Sequence, residues 1–279
     1  MVRLPLRGEE KTGTKPMKIT SPDNAQIKYL NRLQTSGSFR RQEKKFLIEG
    51  PAAIRSILEN KIHPLMICIC PALYSPVPEF MNIIREQNIP IMEISARCFE
   101  KISDVQTPQG IAAVFPFFEY EINTIFNDPN ALMICCPGMQ DPGNLGTIIR
   151  TADAAGLSAV IALAPAVSFY NPKVVRSSAG SLVNIPLLEL PEKEFLAETA
   201  RYKINLYAAV PREGKSHEKM RFKRPACILI GSEAHGLPDA IRAISAPVSI
   251  PMRPGVESLN AAVAAALLMY QAAKKERAK

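Results

Sequence analysis

Apolar residues recur along this chain in two kinds of run. Short unbroken runs alternate with segments whose apolar residues fall three and four apart, the patterns of buried strands and amphipathic helices. Ile27, Leu30 and Leu33 predict a helix over 21–37 that stops at Gly37. Phe46–Ile48 predicts a strand, Pro51–Asn60 a helix with proline in its first turn, and Leu65–Cys70 a second strand. Glu79–Gln87 reads as a helix, Ile89–Ile94 as a strand, Ala96–Ile102 as a helix and Ile111–Phe115 as a strand. This alternation predicts a small α/β layer domain. Residues 116–130 hold two prolines and no clear period, and read as a linker.

A second unit opens with Ala131–Cys136, a continuous apolar strand of the kind buried on both faces. Helices are predicted at Asn144–Ala155, closed by Gly156, at Lys173–Ala179 and at Glu192–Arg201. Strands are predicted at Ala159–Leu163, near Ile185–Leu188, and at Ile204–Ala209, Ala226–Ile230 and Val248–Ile250. A long helix then runs from Ser258 to about Lys275. The predicted organisation is a flexible basic arm over 1–17, an α/β domain over 18–115, a linker over 116–128 and a second α/β domain over 129–279.

Composition narrows the class. With 279 residues, 47% apolar and 22% charged, the chain is not disordered throughout. The longest apolar run near its end, Ala261–Tyr270, is about half the ~20 residues a spanning helix needs. The first sixteen residues lack the apolar core of a secretory signal, and Glu9 and Glu10 argue against a transit peptide. Met17 is an alternative initiator, since the patterned sequence begins at Lys18. None of the six cysteines forms a C-x-x-C pair and the three histidines are scattered, so a metal site is not expected. Buried, reduced thiols in a cytoplasmic protein are.

Charge is unevenly spread. The net charge is +8, yet residues 1–45 alone hold eleven Lys/Arg against four Asp/Glu, leaving +1 for residues 46–279. A basic end on a near-neutral body fits a nucleic acid, an acidic membrane face or merely a solvated tail; the lack of a spanning run weakens the membrane option. A second basic run, 212–224, has six Lys/Arg against two Glu and reads equally as an RNA contact or a solvated loop.

Three loops of the second unit follow apolar strands, where parallel α/β sheets place ligands. In Asp141–Asp153, Gly143 and Gly146 allow close backbone approach and Arg150 could hold a phosphate; alternatively, Asn144 caps a helix and Arg150 pairs with Asp153. Residues 231–237, GSEAHGL, place Glu233 between glycines, suited to a ribose hydroxyl, a cation or a helix cap. Residues 250–260 lead into an alanine-rich helix with Ser258 as its alternative N-cap. There is no phosphate-binding G-x-x-x-x-G-K-[ST], no G-x-G-x-x-G after a strand and no nucleophile elbow, which disfavours triphosphatases, ordinary dinucleotide enzymes and serine hydrolases.

Together DPGNLGTIIRTADAAG (141–156), ILIGSEAHGL (228–237) and IPMRPGVESLNAAVAAALLMYQ (250–271) resemble, in order, the three motifs of the SpoU/TrmH family, RNA ribose 2′-O-methyltransferases of the SPOUT class. KVVRSSAGSLVNIPL (173–187) resembles that family's middle segment. FLIEGPAAIRSIL (46–58) and TPQGIAAVF (107–115) resemble the small RNA-binding domain, related to a ribosomal-protein fold, that precedes it in many members. The resemblance implies a parallel-sheet α/β domain with a trefoil knot, a homodimer sharing its active site across the interface, and S-adenosylmethionine as cofactor with no metal. It implies catalytic positions at Asn144, Arg150, Glu233, Ser258 and Asn260, and cofactor contacts from the backbone at Gly231, Ile250 and Leu259. Ala234-His235 and Arg253-Pro254-Gly255 depart from the commoner pattern and put the shape of the cofactor loop in doubt. The implied substrate is ribosomal RNA in preference to tRNA, with a catalytically silent RNA-binding or ribosome-assembly factor as the alternative. Arg32, Arg40, Arg41, Lys44 and Lys45, with Phe39 for a stacked base, are the RNA contacts expected of the first unit.

Overall fold

Burial in the first unit follows the helical and strand periods of the sequence. The computed structural model describes residues 17–274, and the chain divides into two units between Phe118 and Glu119. The arm expected over 1–17 lies outside the described residues except for Met17. The first unit runs β1 (Met17–Ile19), α1 (Ala25–Thr35), α2 (Gly37–Glu43), β2 (Lys45–Glu49), α3 (Pro51–Glu59), β3 (Met66–Ile69), α4 (Pro78–Glu86), β4 (Ile91–Ile94), α5 (Ala96–Ile102) and β5 (Ile111–Pro116). Its sheet has the order β1-β4-β3-β5-β2, with β5 antiparallel to both neighbours and the other pairs parallel. α1 buries Ile27, Leu30 and Leu33 in a core with Leu47, Met66 and Val114.

Gly37 does not end the helical region. Ser36 closes α1 and caps α2, its Oγ accepting from Phe39 N–H at 3.3 Å. Seven residues are too few to show a helical period, which is why α2 escapes pattern reading.

This second helix overturns part of the expected RNA face. Arg40 is buried, and its guanidinium donates to the carbonyls of Leu33 (2.8 Å) and Gln34 (2.9 Å), which the last turn of α1 leaves without helical partners. Phe39 is buried too, edge-on to Tyr29 at 5.4 Å and covered by the Arg32 guanidinium at 3.9 Å from its ring centre. No face of Phe39 is left for a base, and Lys45 is engaged with Glu43 at 3.7 Å. Arg41 and Lys44 are exposed.

The second unit runs α6 (Ile122–Phe126), β6 (Leu132–Pro137), α7 (Pro142–Ala155), β7 (Ala159–Leu163), α8 (Pro172–Ser177), a 3₁₀ turn (Ser181–Val183), β8 (Leu187–Leu190), α9 (Glu192–Arg201), β9 (Asn205–Ala209), β10 (Lys215–Ser216), β11 (Ala226–Leu229), α10 (Asp239–Ala243), β12 (Ala246–Ser249) and α11 (Ala261–Ala273). Its seven strands are all parallel, in the order β10-β12-β9-β11-β6-β7-β8. β6 and β11 lie inside the sheet and every one of their residues is buried, as their unbroken apolar runs require. The segment expected as a linker contains α6, whose Ile125 and Phe126 pack into the core with Met133, Cys135 and Phe195. α6 spans only five residues between prolines, too short for a helical signal.

All six cysteines are free and buried. Burial pushes the Cys68 thiol up to about 12 and raises Cys135 and Cys136 further above the ordinary thiol range. These thiols stay protonated in the folded protein at pH values where an unfolded chain ionises them. Their contribution to stability is therefore complete below the ordinary thiol pKa and is lost as pH climbs toward about 12. Thermal melts at rising alkaline pH should show a falling midpoint, less steep in Cys68→Ala. No thiol should react with Ellman's reagent until the chain is unfolded.

Candidate active site

The carboxyl ends of β6, β11 and β12 lead into the three loops that carry most of the candidate residues. The first becomes α7, which Asp141 caps by accepting from Asn144 N–H at 2.6 Å, with Pro142 at the first helical position. Asn144 is thus inside the first turn, and its side chain is released from capping. α8 crosses α7 at Gly146. A Cβ there would lie 2.0 Å from Ser177 Oγ and 2.7 Å from the Val174 carbonyl, so only glycine fits. Ser177 Oγ lies 3.2 Å from the Pro142 carbonyl and 2.6 Å from that of Lys173.

The second loop folds back on itself between Ser232 and Gly236, which exchange both backbone hydrogen bonds at 2.8 and 3.2 Å. A Cβ on Gly231 would fall 2.3 Å from the Gly236 carbonyl carbon, so the turn closes only over glycine. This turn puts Glu233 against Asn144, whose Nδ2 donates to the carboxylate.

The third loop ends at Asn260. Its Oδ1 accepts from the N–H groups of Ala262 (3.0 Å) and Val263 (3.2 Å), and its Nδ2 donates to Asn144 Oδ1 at 3.0 Å. Asn260, and not Ser258, is the N-cap of α11, and the predicted helix start moves to Ala261 accordingly. Asn144 therefore holds one carboxylate from the second loop and one amide from the third.

Beside this cluster lies a cavity of about 370 Å³, the size of small-molecule sites. Gly231, Ile250 and Leu259 line it, with Ile230, Val248 and Leu268 adding apolar surface and Glu233 and Ser258 polar groups. Val210, Pro211 and Met252 also line it and were not singled out from sequence, since nothing marks an isolated apolar loop residue as a wall. Asp141 and Ser177 were missed as well, although Asp before Pro at a helix start is a readable cap signal.

Arg150 is exposed on the third turn of α7, and among the described residues it has no ion-pair partner. Asp153 does not pair with it but accepts from Asn184 Nδ2 at 3.0 Å. Glu233, expected to suit a ribose hydroxyl, a cation or a helix cap, accepts from Asn144 Nδ2. The chain thus joins Asn144, Glu233 and Asn260 by hydrogen bonds, lines the cavity with Ser258 as well as Glu233, and leaves Arg150 outside those bonds. Among the described residues, no three His, Cys, Asp or Glu side chains are placed to hold a metal ion.

The profile of the SpoU rRNA Methylase family matches residues 131–270, all three loops included. The chain belongs to this family. The profile of the MRM3-like substrate binding domain matches residues 24–113. An uncharacterized tRNA/rRNA methyltransferase of Synechocystis sp. is 31% identical, over 92% of this chain and 94% of that protein. The 23S rRNA (guanosine(2553)-2′-O)-methyltransferase RlmP of Bacillus subtilis is 29% identical, over 90% of this chain and 97% of its own length. Among solved structures, an RNA 2′-O ribose methyltransferase superposes with a TM-score of 0.78 at 31% identity, over 94% of this chain and all of that one. The SpoU methyltransferase AviRb of Streptomyces viridochromogenes, solved with AdoMet, superposes with a TM-score of 0.82 at 25% identity, over 92% of this chain and all of that one. In this SpoU protein the asparagine of the first motif has a stated physical task, joining the other two motifs.

The crossing at Gly146 sets where that asparagine sits. Gly146→Ala should destabilise the protein by about 1–3 kcal/mol in chemical denaturation, because the methyl group overlaps Ser177 and backbone. Adding Ser177→Ala should recover only part of the loss, since the Val174 carbonyl remains in the way.

Proposed function

We propose that this SpoU protein transfers the methyl group of S-adenosylmethionine to a ribose 2′-hydroxyl of RNA, with 23S ribosomal RNA as substrate. The carrying observation is the cavity bounded by the second and third motif loops, lined at Gly231, Ile250 and Leu259, with the Asn144–Glu233 pair at its edge. Its apolar walls, with Gly231 and Gly236 among the lining residues, suit the adenosine and sulfonium portions of that cofactor. AdoMet in the AviRb structure supports the same choice, and the 23S-specific names of RlmP and of the similar 23S rRNA (uridine(2479)-2′-O)-methyltransferase of Streptomyces viridochromogenes support ribosomal RNA over tRNA.

Bound S-adenosylmethionine would supply an electrophilic methyl group on a good leaving sulfur. The chain's own work is to orient the hydroxyl and to handle its proton. Asn144, Glu233 and Ser258 would orient the ribose beside the cavity. Arg150 would clamp the adjacent phosphate through its guanidinium fork and stabilise the developing alkoxide, while the proton leaves through that phosphate or water.

We assign residues 18–115 to substrate binding, in keeping with the matched profile, and keep Arg41 and Lys44 as its phosphate contacts. We further propose a homodimer sharing its active site. Arg150, which has no ion-pair partner among the described residues, and the exposed Val263, Leu267 and Tyr270 on α11 support this arrangement. The trefoil knot is proposed on the family, with support from β12 pairing beside β9 and α11 returning to pack on α7. Six buried thiols support a cytoplasmic setting; no helix among the described residues is long and apolar enough to cross a membrane.

Incubation with methyl-labelled cofactor should place label in alkali-resistant 2′-O-methyl dinucleotides of a 23S transcript. Label in tRNA alone would move the substrate to tRNA, and label in neither would leave the silent-factor reading. Arg150→Lys should lower turnover on the order of 100-fold while calorimetry shows unchanged cofactor affinity. Turnover near that of the wild type would remove Arg150 from the mechanism.

A further inference from the structure

The basic run at 212–224 plays no part in the function proposed above. It leaves β9 through Val210 and Pro211, which line the cavity, supplies the edge strand β10 and ends just before β11. Its backbone is tied down along its length. Ser249 Oγ donates to the Gly214 carbonyl at 2.8 Å, and Gln271 Nε2 to the Glu218 carbonyl at 3.4 Å. The phenol of Tyr207, a buried residue, accepts from Lys223 N–H at 2.7 Å and donates to the Arg221 carbonyl at 3.2 Å. Its ring lies 4.8 Å from that of Phe222.

Between these ties burial alternates. Met220 and Phe222 turn partly inward, while Lys219, Arg221 and Lys223 are exposed. None of these three cations is ion-paired among the described residues. A fixed backbone that holds three like charges together incurs their repulsion, which a polyanion relieves. The contrast with the rest of the chain is sharp: 212–224 carries +4, and the remainder of residues 46–279 carries −3. Met220 and Phe222 are turned away from the exposed cations, so the run itself exposes no large apolar side chain of the kind that seats a basic segment in a bilayer, which favours RNA over a lipid surface.

We propose that this loop is a second RNA-binding surface, on the catalytic unit itself, where Lys219, Arg221 and Lys223 hold phosphates of the RNA being methylated. The inference rests on the RNA methyltransferase reading and extends it by placing substrate affinity beside the cofactor cavity as well as in the first unit.

The test uses the full chain carrying K219A/R221A/K223A, an unmodified 23S transcript, and filter binding across a potassium chloride series. Affinity should fall at least about tenfold at moderate salt, and the slope of log affinity against log salt should flatten by about 2, near 0.7 for each lost single-strand contact. Cofactor affinity by calorimetry should be unchanged, and the charge-preserving K219R/R221K/K223R should bind RNA as the wild type does. If the triple alanine variant also loses cofactor binding, Arg221→Ala and the charge-preserving variant carry the same readout. Unchanged affinity and slope, in a wild type that methylates the transcript, would overturn this inference alone. Failure of the wild type to bind or methylate RNA would instead overturn the reading beneath it. Loss of binding to phosphatidylserine vesicles with RNA affinity intact would assign the loop to a membrane and overturn the proposal.

Discussion

At Gly146 the backbone of α7 passes so near α8 that a single methyl group would strike Ser177 and a main-chain carbonyl. Close-packed interiors do not yield continuously, so this crossing fixes the axial position of α7. α11 packs against α7 as well, and Asp141 determines the residue at which α7 begins. Asn144, within the first turn, is delivered to one place by packing on two sides and a cap at the end. The loops bearing Glu233 and Asn260 are mostly irregular and have few other ways to find each other. They are registered on Asn144, so a steric limit between two helices becomes a positional limit on the whole site.

Most of the architecture was legible because it rests on uninterrupted apolar runs. β6, β7 and β11 are buried throughout, and α5, α9 and β7 begin and end at the residues the pattern predicts. The short elements were not legible. α2, α6, α10 and β10 span two to seven residues, fewer than two helical turns or a full strand alternation, and their signals are lost among their neighbours. At the site, the loops were visible through their glycines and polar residues, but the hydrogen bonds were not. Choosing Asp141 over Asn144 as the cap of α7 moves its start by three residues, and choosing Asn260 over Ser258 at α11 moves its start by two. A pattern of residue types does not settle either.

Charge counted along the chain gave a misleading map of charge available at the surface. The first 45 residues hold the excess, yet Arg40 is consumed by helix carbonyls, Arg32 lies on an aromatic ring and Lys45 faces Glu43. The loop at 212–224 has a smaller excess, but its backbone ties turn that excess outward. Long cationic side chains serve structure as readily as ligands, and only their partners distinguish the two uses. For an RNA-modifying protein this shifts part of the grip from the separate binding unit toward the place where chemistry happens.

The asparagine relay has an electrical direction. The N–H groups that open α11 point at Asn260, Asn260 donates to Asn144, and Asn144 donates to Glu233. Every dipole in the series is aligned head to tail, so the partial positive charge at the start of α11 is carried through two neutral amides to the carboxylate. Glu233, with no ion-pair partner among the described residues, thereby receives favourable electrostatic contact. Among the described residues the arginine on α7 has no ion-pair partner, which suits the phosphate contact proposed for it.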